Sequence, residues 1–249
     1  MISEKIHNII KEEAQNTAPP TTLLSTGISN TKTAKNSLKT FILYLAPYNQ
    51  NSKGINICPK ASAGCAAACL FTAGRGVMAP VIKGRVKKTE YYLRDKKAFI
   101  SQLASEIIQK YNTAKRKGEK IAFRLNGTSD LDFVYLLQKY SGLDIASLKD
   151  HAIFYDYTKI KGKIVKYLNH PNYFLTFSRA EDNDQTAAAV LAIGGNVATV
   201  FRGDLPQTYK GHKVVDGDKS DLMMVYNKNV ILGLRAKGEA KKDTTGFVV

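Results

Sequence analysis

From Ile121 onward, short apolar runs alternate with helix-forming segments, and that alternation constrains the fold more than any other feature of the chain. IAFRLNG (121–127), HAIFYDYTK (151–159), YFLTFSR (173–179), NVATVFRG (196–203) and NVILGLRAKG (229–238) have the length and the β-branched and aromatic content of buried strands. Between them LDFVYLLQKYSG, KIVKYLNH and DQTAAAVLAIGG read as helices, the last ending at glycines. Strand and helix recur about every 20 to 30 residues, which predicts parallel β/α units. With TFILYLAP (40–47) as the first strand, about six strands result. That number suits a (β/α) barrel, complete or partial and TIM-barrel-like, better than an open nucleotide-binding sheet. No GxGxxG follows the first strand, and there is no GxxxxGK followed by Ser or Thr, so the usual dinucleotide and P-loop signatures are absent.

Residues 1–35 read as a helical and irregular extension, leaving 36–249 as one domain. The extension opens with an amphipathic helix at Ile2–Glu13 and continues into TAPPTTLLSTGISNTKTAKNS, a turn-rich stretch expected to cross the surface. Tyr91, Leu93, Phe99, Leu103, Ile107, Ile108 and Tyr111 lie at helical spacing within Lys87–Lys117. They predict two helices broken near Asp95, the second closed by Gly118. No stretch approaches the roughly 20 apolar residues of a membrane span, and the charged N-terminus has no signal-peptide core. A reducing compartment is expected, where cysteine clusters bind metal or do redox chemistry more often than they form disulfides.

All three cysteines fall in CPKASAGCAAAC, at 58, 65 and 69. Cys65 and Cys69 are one helical turn apart, so an alanine-rich helix would present both sulfurs on one face, with Cys58 returning from the preceding loop. The surrounding alanines and glycine leave room for a bulky inorganic core. The pattern favours a [4Fe–4S] cluster on Cys58, Cys65 and Cys69, one iron being left for substrate or S-adenosylmethionine. A zinc site completed by His7, His151, His170 or His212 is the alternative reading, and incidental cysteines the third.

In parallel β/α architectures the carboxyl ends of strands line the site. Here those ends carry Arg124, Asn126, Thr128 and Asp130; Asp156, Tyr157, Thr158 and Lys159; Ser178 and Arg179; Arg202; Asp216, Asp218 and Asp221; Arg235 and Lys237. Arg124, Asn126, Lys159, Arg179, Arg202 and Arg235 are candidates for holding an anionic substrate, and Asp156, Asp216 and Asp218 for acid–base work. A turn or loop knot pairing with Arg235 and Lys237 explains the aspartates of DGDKSD equally well. With 37 basic against 21 acidic residues the net charge is +16. That charge fits an anionic small molecule or a nucleic acid, and equally a lysine-rich solvated surface.

CPKASAGCAAACLFTAGRG, VKKTEYYLRDKKAFISQLASEI, FRLNGTSD, VVDGDKSDLM and VILGLRAKG, in that order, resemble the phage family called gene product 88. That resemblance covers about residues 40 to 240 and implies a phage protein acting in the host cytoplasm. It implies no reaction. A weaker likeness is to radical S-adenosylmethionine enzymes, which place a three-cysteine loop after the first strand of a β/α barrel. Their C-x3-C-x2-C and following aromatic residue differ from the C-x6-C-x3-C and Leu70 found here. The expectation is therefore an enzyme on an anionic substrate. The alternatives are a redox-sensing or electron-transfer cluster protein that binds nucleic acid, or a zinc-binding protein.

Overall fold

Strands β2 (Lys39–Leu43), β3 (Ile121–Arg124), β4 (Ala152–Thr158), β5 (Tyr173–Ser178) and β6 (Asn196–Phe201) pair side by side in chain order, all parallel. Parallel neighbours need a crossover on one side of the sheet, and the helices between these strands supply it. The computed structural model describes residues 4–27, 33–69 and 74–249. Among them nine strands form a mixed, mostly parallel sheet, with β1 (Leu24–Thr26) beside β2 at one edge and, beyond β6, β9 (Ile231–Arg235), β8 (His212–Asp216) and β7 (Thr208–Tyr209) in that order. β9 continues the parallel set beside β6, and β8 lies parallel to β9. The α/β class expected from the alternation is thus observed, with antiparallel strands added at both edges.

The register puts Phe41, Phe123 and Phe154 opposite one another on adjacent strands. Their rings stack across the sheet with centroids 5.7 and 5.0 Å apart. Under this stack pack α3 (Ala79–Arg94), α4 (Lys96–Arg116) and α5 (Phe133–Ser141), through Tyr92, Phe99, Leu103 and Phe133 among others. The opposite face carries Ala122, Ile153, Tyr155, Ala198 and Leu232, which pack with Leu222 and Met224 from the region of α8 (Met223–Tyr226). Alternate residues of single strands therefore serve two cores, which is why these strands read as unbroken apolar runs.

The helix pair breaks at Asp95, as its spacing predicts. Asp95 leaves helical geometry and its carboxylate accepts from the Ala98 backbone N–H (2.9 Å), so it ends α3 and caps α4. α1 spans Glu4–Gln15; Ile2, placed in that helix by the sequence, lies outside the described residues.

Two local expectations need correction, and one hairpin adds to the strands expected. The TAPPTTLLST stretch does not simply cross the surface: Leu23 and Leu24 are buried, and β1 (Leu24–Thr26) pairs antiparallel with β2. The Glu106 carboxylate on α4 fixes this segment by accepting from the Leu23 and Leu24 N–H groups at 2.7 and 2.9 Å. Residues 208–216 fold as a hairpin of β7 (Thr208–Tyr209) and β8, turning at Lys210 and Gly211, both with positive φ. Finally, the cysteine helix α2 is only Ala63–Ala67, so Cys69 lies beyond its end rather than on one face with Cys65. Capped only at its start by Ser62 and Glu181, so short a helix does not propagate further.

Candidate functional site

The carboxyl ends of β2 to β5 and the loops that leave them surround the cysteine segment. Cys58, Cys65 and Cys69 are each half-buried. Cys58 lies within electrostatic reach of both other thiols. Its thiol donates to the Thr128 carbonyl in the loop after β3 (3.7 Å). Burial pushes its pKa up to about 12, with the other cysteines and Asp130 adding to the effect. Cys65 is raised too, chiefly by burial and against the pull of Lys159.

Two carboxylates place this loop. Glu181, just after β5, accepts from the Gly64 N–H (2.7 Å) and the Ser62 hydroxyl (2.8 Å), and Ser62 in turn accepts from the Cys65 N–H (3.1 Å). A Cβ at Gly64 would lie 2.9 Å from Glu181 and 2.3 Å from Thr245, so that small residue serves this contact. Asp130 takes the Thr158 hydroxyl (2.8 Å), the Lys159 N–H (2.9 Å) and the buried Lys163 ammonium (2.9 Å), while its own N–H reaches the Ile57 carbonyl beside Cys58 (3.0 Å). The loop is thereby tied to β4, β5 and α6 (Lys161–Tyr167).

Lysine and arginine supply the cationic wall. Lys159 is half-buried next to Cys65, and its ammonium donates to the Ser178 carbonyl (3.2 Å) and hydroxyl (3.0 Å). Burial lowers its pKa against the opposing pull of Cys65, Asp130 and Glu181. Arg85 points inward from α3 to within reach of Cys69, and its guanidinium covers the Tyr44 ring at 5.1 Å. Arg124 covers Tyr157 at 5.1 Å and faces Asp221 at 4.0 Å. Burial works to lower its pKa, but Asp221 and the neighbouring tyrosine hydroxyls leave it raised.

The other predicted positions are more scattered. Asn126 and Asp156 are buried together, Asp156 accepting from the Asn126 N–H (2.8 Å) and Nδ2 (3.2 Å) and from the Tyr173 hydroxyl (3.3 Å). Burial pushes Asp156 up to about 6. Arg179 pairs with Asp184 (2.8 Å) and binds the carbonyls of Gly246 and Phe247. Arg202 binds the Lys241 and Asp243 carbonyls at 3.0 and 2.6 Å. Asp216 meets Arg235 (3.1 Å) and Asp218 meets Lys237 (2.7 Å), the loop knot weighed against catalysis for DGDKSD. Of the predicted charged residues, Asp130 and Lys159 border the cysteines, and Arg124 lies within electrostatic reach of Tyr44. Sequence reasoning passed over Tyr44, Arg85 and Glu181. Only Arg85 left a trace, as one residue of the basic run KGRVKK.

The family model described as gene product 88 matches residues 21–249, everything after the first 20. The chain belongs to the gene product 88 family. No curated protein and no solved structure matches it. In this gene product 88 protein no described helix is long and apolar enough to cross a membrane. Among the described residues, no three His, Cys, Asp or Glu side chains gather closely enough to share one metal ion.

Proposed function

We propose that this protein holds a [4Fe–4S] cluster on Cys58, Cys65 and Cys69, at the mouth of a partial (β/α) barrel, and acts there as an enzyme on an anionic substrate. The observation that carries this reading is the convergence of the chain's three cysteines on the carboxyl ends of parallel strands, with Lys159 and Arg85 beside them. The chain-order pairing of β2 to β6 supports the barrel. A single zinc ion needs its thiolates about 2.3 Å from one point. A cubane takes each thiolate on a different iron, which suits a triad in which Cys58 lies within electrostatic reach of the other two thiols.

Cys58, Cys65 and Cys69 would hold such a cluster, which would supply an iron open to a substrate or S-adenosylmethionine. The chain's own residues do the rest. Arg124 and Lys159 hold the anionic part of the substrate. Asp130 and Glu181 keep the cysteine loop in place. Asp156 acts through Asn126, whose backbone and side chain it binds. As a phage protein, it works in the host cytoplasm.

Protein purified without oxygen should be brown, absorb broadly near about 400 nm and contain iron and sulfide, all lost in Cys65→Ser. A colourless protein with one zinc overturns the reading, as does a Cys65→Ser variant with full iron and sulfide. Cleavage of S-adenosylmethionine after reduction decides for the radical route. The +16 charge favours a second reading, a cluster-bearing sensor on nucleic acid. That reading requires DNA or RNA binding that weakens steeply with salt.

A further inference from the structure

Two guanidinium groups at the head of this site carry donors that no described residue accepts. The Nε and Nη1 of Arg85 are buried without a hydrogen-bond partner among the described residues, and so is the Nε of Arg124. Arg124 has Asp221 at 4.0 Å, beyond hydrogen-bonding distance. Among the described residues, Tyr44 and Cys69 favour the charged form of Arg85 and Lys88 lies within its electrostatic reach. Lys88, one turn further along α3, is spent elsewhere, donating to the Leu23 carbonyl (2.7 Å).

Tyr44 joins the two arginines. It follows β2 directly, and Arg85 covers its ring at 5.1 Å while Arg124 lies within its electrostatic reach. Its ring is pressed on the backbone of Gly127, where a Cβ would come within 2.5 Å of it. The tyrosine is therefore held in one place by a position that admits no side chain. A buried guanidinium hydrogen without an acceptor is costly, and oxyanions are its strongest acceptors.

We propose that Arg85 and Arg124 form a binding site for an oxyanion group of the substrate, phosphate or carboxylate, held against Tyr44 next to Cys69. This deepens the reading of the cysteine site as one for an anionic substrate and takes its location from it. Phosphate and carboxylate present the same acceptor chemistry to an arginine, so the probe decides between them.

The test is a calorimetric titration of the full chain, as purified, with inorganic phosphate and separately with acetate, at constant ionic strength. One anion should bind per chain, and the tighter of the two identifies the group. Arg85→Met should weaken binding by at least about tenfold, since charge-assisted hydrogen bonds are lost. Arg124→Met should do likewise, and Arg85→Lys should lose less. Iron content should stay at the wild-type level, with unchanged circular dichroism confirming the fold. Failure of both anions to bind wild-type protein overturns the proposal, and so does wild-type affinity in Arg85→Met. Iron loss in Arg85→Met without anion binding by the wild type also overturns it, because the guanidinium would then be neutralising the cysteine site itself. Anion binding lost in Arg85→Met from a protein devoid of iron would sustain the oxyanion site while sinking the cluster, so the two readings fail separately.

Discussion

Single carboxylates do most of the positioning in this protein, and each has a measurable signature. Asp156 is buried and its pKa rises from 3.8 to about 6, chiefly through burial. A raised carboxyl pKa means that the fold prefers the protonated form. The resulting stabilisation is complete below about 3.8 and is lost as pH rises through about 6. A shift of about two pKa units corresponds to roughly 3 kcal/mol. Asp156→Asn should remove this slope from the unfolding free energy measured between those pH values; an unchanged slope would place the titration elsewhere. Glu181 acts differently, by accepting from Gly64 and Ser62. Replacing it with alanine strands both donors, at a cost of about 1–3 kcal/mol to the loop. Cys65 in Glu181→Ala should react several times faster with a thiol alkylating agent, and equal rates would argue against the clamp.

At the scale of elements, the local physics was legible and its limits are informative. The α3–α4 break was readable because the apolar spacing changes phase at a residue that prefers caps, and Asp95 does cap α4. Asp95→Ala should lower stability by about 1 kcal/mol, seen as a reduced Tm with little change in spectroscopic helix content. A variant as stable as wild type would mean that packing alone sets the break. Strands β2 to β6 and β9 were readable for the same reason, a short apolar run bounded by polar turns, whereas β8 was not read as a strand. Nor were β1 and β7: at three and two residues they are too short to show a period, and pairing with a neighbour alone makes them strands. α2 shows the converse. Its helical spacing is present in the sequence, but five residues held at one end by Ser62 and Glu181 stop before Cys69.

Across the whole molecule, the C-terminal segment closes over the cysteine region. Phe247 and Val248 pack with Ala68, Ala180, Ala236 and Ala240, and Cys65 lies against this cluster. Val249 exchanges backbone hydrogen bonds with Val200 and Arg202 at the end of β6, and Arg179 straps the Gly246 and Phe247 carbonyls. Removing the Arg179 guanidinium leaves these carbonyls and Asp184 without it, worth about 1–3 kcal/mol. Arg179→Met should therefore show earlier proteolytic clipping after Asp243 together with a lower Tm; resistance equal to wild type would show that apolar packing alone holds the segment. By itself the sequence determined the β/α alternation, the helix break and the clustering of three cysteines, since each depends on residues close along the chain. Which side chains join those cysteines was decided by tertiary structure alone. Tyr44, Lys159 and Glu181 follow three separate strands whose ends parallel pairing aligns regardless of chain distance, and Arg85 comes to them from α3, packed beneath the sheet.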